Sequence, residues 1–234
     1  MFGRFGYYYY DSLYLGFMVI SLLIMLAAQI GIKSSYAKCS GINNRRGITG
    51  RDAAEAVLRA AGIADVSIGR VEGKLTDHYN PKTKQINLSA QVYDSATIAA
   101  VGIAAHEAGH AVQHARQYSP LTLRNAIIPL SNYGPSIGIL LLVLGMALNF
   151  SGLVFVGIAL FSFSFLFQLI TLPVEFNASR RAMQAIAGSG LLDAKEQKGA
   201  RRVLTAAAMT YVAAMIQSFL TLLYYILRAS NRRR

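Results

Sequence analysis

Three of the chain's four histidines, His106, His110 and His114, fall within nine residues of the stretch GIAAHEAGHAVQH, 102–114. Inside it His106, Glu107 and His110 spell H-E-x-x-H. Residues four apart stack on one face of a helix, so His106 and His110 can offer two imidazoles to one metal ion. Glu107 stands about 100° round the same helix, near enough to hold a water on that ion without ligating it. This is the layout of a zinc hydrolase. With four His and five Glu in 234 residues, the motif arises by chance on the order of once in a thousand chains of this length.

A zinc hydrolase also needs a third protein ligand and an open position for water. The metzincin solution, a His ten residues after the first, fails because that position is Arg116, and Gln113 stands where a Gly is required. His114 lies about 12 Å along the helix from His106, too far for all three histidines to grip one ion; it is read as a polar-face residue. The remaining solution is a Glu from a separate downstream helix. Only Glu175 and Glu196 follow the motif, and Glu175 lies in LPVEFNASRRA, just past an apolar stretch. Cys39 is the only cysteine, so the available ligands are His, Glu and Asp.

The elements that would position these groups are those of a membrane protein. Hydrophobic residues make up 54% of the chain and charged ones 15%, too apolar for an ordinary soluble domain. The net charge of +12 would point to nucleic acid on a polar domain. Here many of the Lys and Arg flank apolar runs, which points to lipid headgroups and topology and away from nucleic acid. Residues 12–32 carry no charge and are long enough to cross a bilayer. They read as a retained anchor, because the run is too long for a signal peptide and no A-x-A site follows. The tract Tyr7–Tyr10 reads as an interfacial aromatic belt.

Residues 33–132 read as an extramembrane, zincin-like part. Thr49 and Asp52 form a helix cap signal before RDAAEAVLRAAG, and Gly62 supplies the stop. VSIGRVEGKL reads as one or two short strands. LTDHY and KQINLS flank Asn80-Pro81-Lys82-Thr83 as a β-hairpin, whose Gln85–Ser89 strand offers an edge to substrate backbone. Ser95 is expected to cap the motif helix, running from about 96 to 116. Residues 134–172 are expected to form a transmembrane hairpin, with helices at 134–149 and 152–172. Segment 173–234 then supplies the ligand helix, started by Pro173 with Glu175 near its positive end, and a final membrane helix that Asp193 and Glu196 cap. All of this reads as one integrated domain.

Span parity tests the third ligand. Two spans between His110 and Glu175 return the chain to the side it left; one long span would strand Glu175 on the wrong face. Glu175, Ala178, Ser179 and Ala182 share a helix face, and these small residues can approach Ala104, Ala105 and Gly109 closely. Thirteen Lys and Arg flank the span ends on the motif side and five on the other. The positive-inside rule therefore places the zinc site toward the cytoplasm, in the plasma (inner) membrane.

VGIAAHEAGHAVQHA, LPVEFNASRRA, DHYNPKTKQINLS and the TG-x-x-AA helix together resemble the YugP-type neutral zinc metallopeptidases, a membrane-bound gluzincin group. The resemblance spans about residues 5–228. It implies Zn²⁺ held by His106, His110 and Glu175, with Glu107 catalytic. It departs from thermolysin-like gluzincins at Ser179, where they carry an Asp that supports a zinc histidine; Asn177 or Ser179 is the available substitute. For the oxyanion, His78, Tyr79, Arg180 and Arg181 are the sequence candidates. The fold expected is mainly α, multi-span, with an H-E-x-x-H helix and a small β-hairpin. The function expected is hydrolysis of peptide or membrane-protein substrates. The other reading is a proteolytically inactive zinc-stabilised scaffold, or an adaptor of another membrane protease.

Overall fold

A computed structural model describes residues 12–231, so the Tyr7–Tyr10 tract lies outside the described residues. Their order is α1 (Ser12–Ser40), α2 (Gly50–Ala60), β1 (Ser67–Val71), β2 (His78–Asn80), β3 (Gln85–Ser89), α3 (Ala90–Tyr93), α4 (Ile98–Ala115), α5 (Ser119–Ala147), α6 (Ser151–Gly188) and α7 (Ala194–Asn231). Four of these, α1, α5, α6 and α7, are long and apolar enough to cross a membrane. The protein is a mainly α, multi-span membrane protein with one small sheet. It packs as two compact units.

The first unit comprises 28–126 and 169–212 and holds the chemistry-bearing residues. Its core is small-residue helix packing: Ala99, Ala100, Ala104, Ala105 and Ala108 of α4 are all buried to within 1% of complete, with Ala53, Ala54, Ala182 and Ala200 around them. Helix α2 begins where the sequence says. The Thr49 hydroxyl accepts from the Asp52 amide at 3.2 Å while Asp52 accepts from the Thr49 amide at 3.0 Å, satisfying two orphan donors. Asp193 and Glu196 make the same reciprocal cap at the head of α7, each bond 2.8 Å.

Three expectations shift. Helix α4 is capped by Thr97, whose hydroxyl accepts from Ala100 at 3.2 Å, and not by Ser95. The carbonyls of Ser95 and Ala96 are taken by the amides of Gly50 and Asn44, which holds those two residues out of the helix. Strand β3 is not an edge. It pairs parallel with β1 along its whole length and antiparallel with β2 over Gln85–Asn87, so the order is β1-β3-β2 and Gln85–Asn87 has no free side for substrate backbone. The hairpin was visible locally; the parallel partner arrives from before it in the chain and covers the other edge. Last, Pro173 starts no helix, since α6 runs through it without a break. Proline there forgoes one ladder bond, to the carbonyl of Leu169. The next turn, with Val174, Glu175 and Ala178 at most 3% exposed, is held by packing, and the helix continues. Glu175 therefore sits mid-helix, without help from a helix dipole.

The second unit comprises the described parts 12–27, 127–168 and 213–231. Helices α5 and α6 form the expected hairpin, though both extend further. Asn149 turns the chain at φ +52°, and the Phe150 amide reaches back to the Gly145 carbonyl at 2.9 Å. A Cβ on Gly157 would meet the Gly138 carbonyl oxygen at 2.7 Å, so glycines set this close approach. In lipid, where the hydrophobic effect gives no drive between helices, such backbone proximity supplies the packing energy.

Candidate metal centre

Helix α4 presents His106 and His110 from adjacent turns, ring centroids 4.7 Å apart and nearly perpendicular. Helix α6 brings Glu175 to them. The Oε2 of Glu175 lies 3.2 Å from His106 Nε2 and 3.6 Å from His110 Nε2. One ligand atom from each of the three residues falls within 4.8 Å of the others. The approach depends on Gly109, inside the motif: a Cβ there would stand 2.7 Å from the Ala178 carbonyl oxygen. The sequence-derived facing of Gly109 on the Ala178 side of α6 is what the structure shows.

The remaining ring nitrogens are held from behind. The buried Gln113 amide donates to the Val174 carbonyl at 2.8 Å and to Asn177 Oδ1 at 3.0 Å, which fixes its oxygen toward His110 Nδ1 at 2.9 Å. Asn177 is itself fixed by Arg181 Nε at 2.8 Å. That chain requires His110 to carry its proton on Nδ1, leaving Nε2 as a free lone pair. Ser179 Oγ meets His106 Nδ1 at 3.1 Å and holds the other ring in place, as donor or acceptor. Both Nε2 atoms face Glu175 Oε2.

Two imidazoles and a carboxylate, with both Nδ1 atoms engaged by the protein, form a donor set suited to Zn²⁺. The electrostatics agree. Burial lowers the pKa of His110, but its contact with Glu175 and the charges of Glu107 and Glu175 outweigh that and hold it above the ordinary histidine value. The site is one where positive charge is stabilised. Glu107 is half-buried on the next face of α4, outside the three-ligand group.

The other sequence candidates lie elsewhere. His114 bonds the Tyr79 hydroxyl at 2.8 Å, beside a broad groove that also has Asp65, Lys84 and Thr122 on its walls. His78 bonds the Thr76 carbonyl and Asn87, on the exposed hairpin. Arg181 serves Asn177, and Arg180 is exposed. Sequence reasoning missed three residues at the centre: Gln113, Arg124 and Tyr211. A polar Gln113 three residues after His110, in an otherwise apolar helix, was the available signal. Arg124, read as a membrane-flanking charge, lies 3.5 Å from Glu175 Oε1. Nothing local marked Tyr211, whose hydroxyl faces Glu175 from α7.

Comparison with known proteins agrees with the resemblance seen in the motifs. The "Putative membrane protease YugP" of Bacillus subtilis (strain 168) is 41% identical over 221 residues, covering 94% of this chain and 98% of that protein. No solved structure matches. The family model described as "Putative neutral zinc metallopeptidase" matches residues 14–230. With a match over nearly its whole length, the chain belongs to the neutral zinc metallopeptidase family.

Proposed function

We propose that the protein is a gluzincin-type, membrane-embedded zinc peptidase, with His106, His110 and Glu175 as ligands and Glu107 as general base. The observation that carries this is the convergence of two Nε2 atoms on Glu175 Oε2, with both Nδ1 atoms occupied by Gln113 and Ser179. Zinc bound there supplies Lewis acidity, lowering the pKa of a water toward neutrality and polarising a carbonyl. The residues do the rest. Glu107, one position after His106, accepts the proton of the attacking water and passes it to the leaving amine. Gln113 keeps His110 in the tautomer that leaves Nε2 free, and Ser179 holds the His106 ring in place.

The substrate class is a peptide or a membrane protein, presented at the bilayer that the four apolar helices imply. The charge count supports a cytoplasmic site; a cysteine placed at position 150 that is labelled only from the cytoplasmic side would overturn that orientation. Glu107→Gln separates the peptidase from a zinc-stabilised scaffold or adaptor. Zinc content is expected to hold while peptide cleavage is abolished, and unchanged turnover would sink the mechanism. Glu175→Ala is expected to lose zinc; full retention would remove Glu175 from the ligand set.

A further inference from the structure

Among the described residues, only two buried side-chain polar atoms lack a hydrogen-bond partner: Nε of Arg124 and Oγ1 of Thr171. Thr171 precedes Glu175 by one turn of α6 and is 1% exposed; Arg124 NH1 lies 3.5 Å from Glu175 Oε1. A guanidinium has five N–H donors, and that one long contact satisfies little of it. Its Nε–H is buried without a partner, which costs stability. Proteins accept such a cost where a ligand completes the bonding. The Tyr211 hydroxyl, on α7, hydrogen-bonds the same carboxylate, within the fields of Arg124 and Glu107. Arg124 and Tyr211 thus both reach the ligand Glu175, and Arg124 keeps a buried N–H that the protein itself does not use.

Resting on the peptidase reading above, we propose that Arg124, with Tyr211 beside it, is the donor that receives the charge developing on the scissile carbonyl oxygen. As the water oxygen bonds to the carbonyl carbon, the C=O π pair moves onto that oxygen and Glu107 takes the water proton. The free N–H groups of Arg124 and the phenol of Tyr211 meet the new negative charge. When the C–N bond breaks, the pair returns to the carbonyl and the amine leaves with the proton from Glu107. Donors of this kind matter most in a desolvated site, where no solvent reorganisation is needed at the moment of reaction.

The test uses the full chain in detergent, loaded with zinc, as Arg124→Met, Arg124→Lys and Tyr211→Phe beside wild type and Glu107→Gln. Three readouts are taken: zinc per chain, kcat and KM on fluorescein-labelled casein, and affinity for a phosphinic peptide, whose tetrahedral P–O⁻ mimics the developing charge. Arg124→Met is expected to keep its zinc and lose about 10²–10³-fold in kcat. Its KM should stay within about twofold, and phosphinic-peptide affinity should fall in step with kcat. Tyr211→Phe should show the same pattern more weakly, and Arg124→Lys should recover part of the loss. Zinc loss tracking activity in Arg124→Met would reduce Arg124 to a positioning residue for Glu175 and overturn the assignment. Unchanged phosphinic-peptide affinity overturns it too, while an inactive Glu107→Gln leaves the peptidase reading standing. If Glu107→Gln is as active as wild type, the peptidase reading itself falls and takes this assignment with it.

Discussion

Replacing Gly109 by alanine adds one methyl group between the two helices that make the site. The added Cβ would lie 2.7 Å from the Ala178 carbonyl oxygen and 3.3 Å from that residue's carbonyl carbon and Cα. All three are backbone atoms of α6, so no side chain can swing aside. Restoring an ordinary contact of 3.4 Å separates the helices by about 0.7 Å. Overpacking of this kind costs about 1–3 kcal/mol, and the gain in helix propensity returns about 1 kcal/mol. Stability therefore changes little, by on the order of 1 kcal/mol. The metal centre is far less tolerant. Glu175 is three residues from Ala178 and moves with it, whereas zinc–ligand distances hold to within about 0.2 Å.

Gly109→Ala is therefore expected to weaken zinc binding by at least about tenfold while the protein still folds. The internal control is Gly102→Ala on the same helix. Its Cβ meets the Ala200 methyl at 3.4 Å, an ordinary contact. That variant should gain about 0.5–1 kcal/mol and keep zinc at wild-type affinity. Chelator competition in detergent measures affinity, and thermal melts of the metal-free chains measure stability. If Gly109→Ala binds zinc as tightly as Gly102→Ala and melts no lower, close packing of α4 on α6 is not what positions Glu175.

Two further outcomes follow from the hydrogen bonds. Gln113→Leu keeps the side-chain bulk but frees His110 Nδ1 and leaves the Val174 carbonyl and Asn177 without their donor. Zinc affinity should drop about 10–100-fold, and chelator competition showing no drop would mean the tautomer is fixed by something else. Asp77, which accepts from the Ser89 amide at 2.7 Å, has its pKa raised chiefly by burial, against the lowering effect of those Ser89 bonds. A raised carboxyl pKa means the folded chain binds the proton more tightly than the unfolded one. Stability from this group is present in acid and is lost as pH rises from the unfolded value through the folded one. The melting-temperature difference, Asp77→Asn minus wild type, should therefore climb with pH across that window and level off above it; a flat difference would refute the shift.

What the sequence disclosed follows from the range of each interaction. Two ligands and a base at positions 106, 107 and 110 are fixed by helix geometry alone, so the motif could be read from spacing. The caps at Thr49–Asp52 and Asp193–Glu196 are equally local and stand as expected. Glu175 is 65 to 69 residues away from the histidines, yet it was reachable because glutamates are scarce after the motif and span parity admitted it. Of the groups behind the ligands, Ser179 was within reach because it stands four residues after Glu175, but the one behind His110 was not. Gln113 meets Asn177 across 64 residues, and that depends on the rotation of α4 and α6 about their axes, which periodicity fixes too coarsely. Strand β1 covers the outer side of β3 by a parallel pairing that no turn announces. Arg124 shows the limit most plainly. An arginine at the edge of an apolar helix can reach headgroups or turn inward to a buried carboxylate, and its type and position are the same in both cases. The deciding term is how closely the neighbouring backbone comes. Gly109, one of the two unspecified positions of H-E-x-x-H, brings no functional group to the chemistry. By lacking a Cβ it lets α6 approach until Glu175 meets both histidines, so part of the third ligand's placement is written inside the motif that supplies the first two.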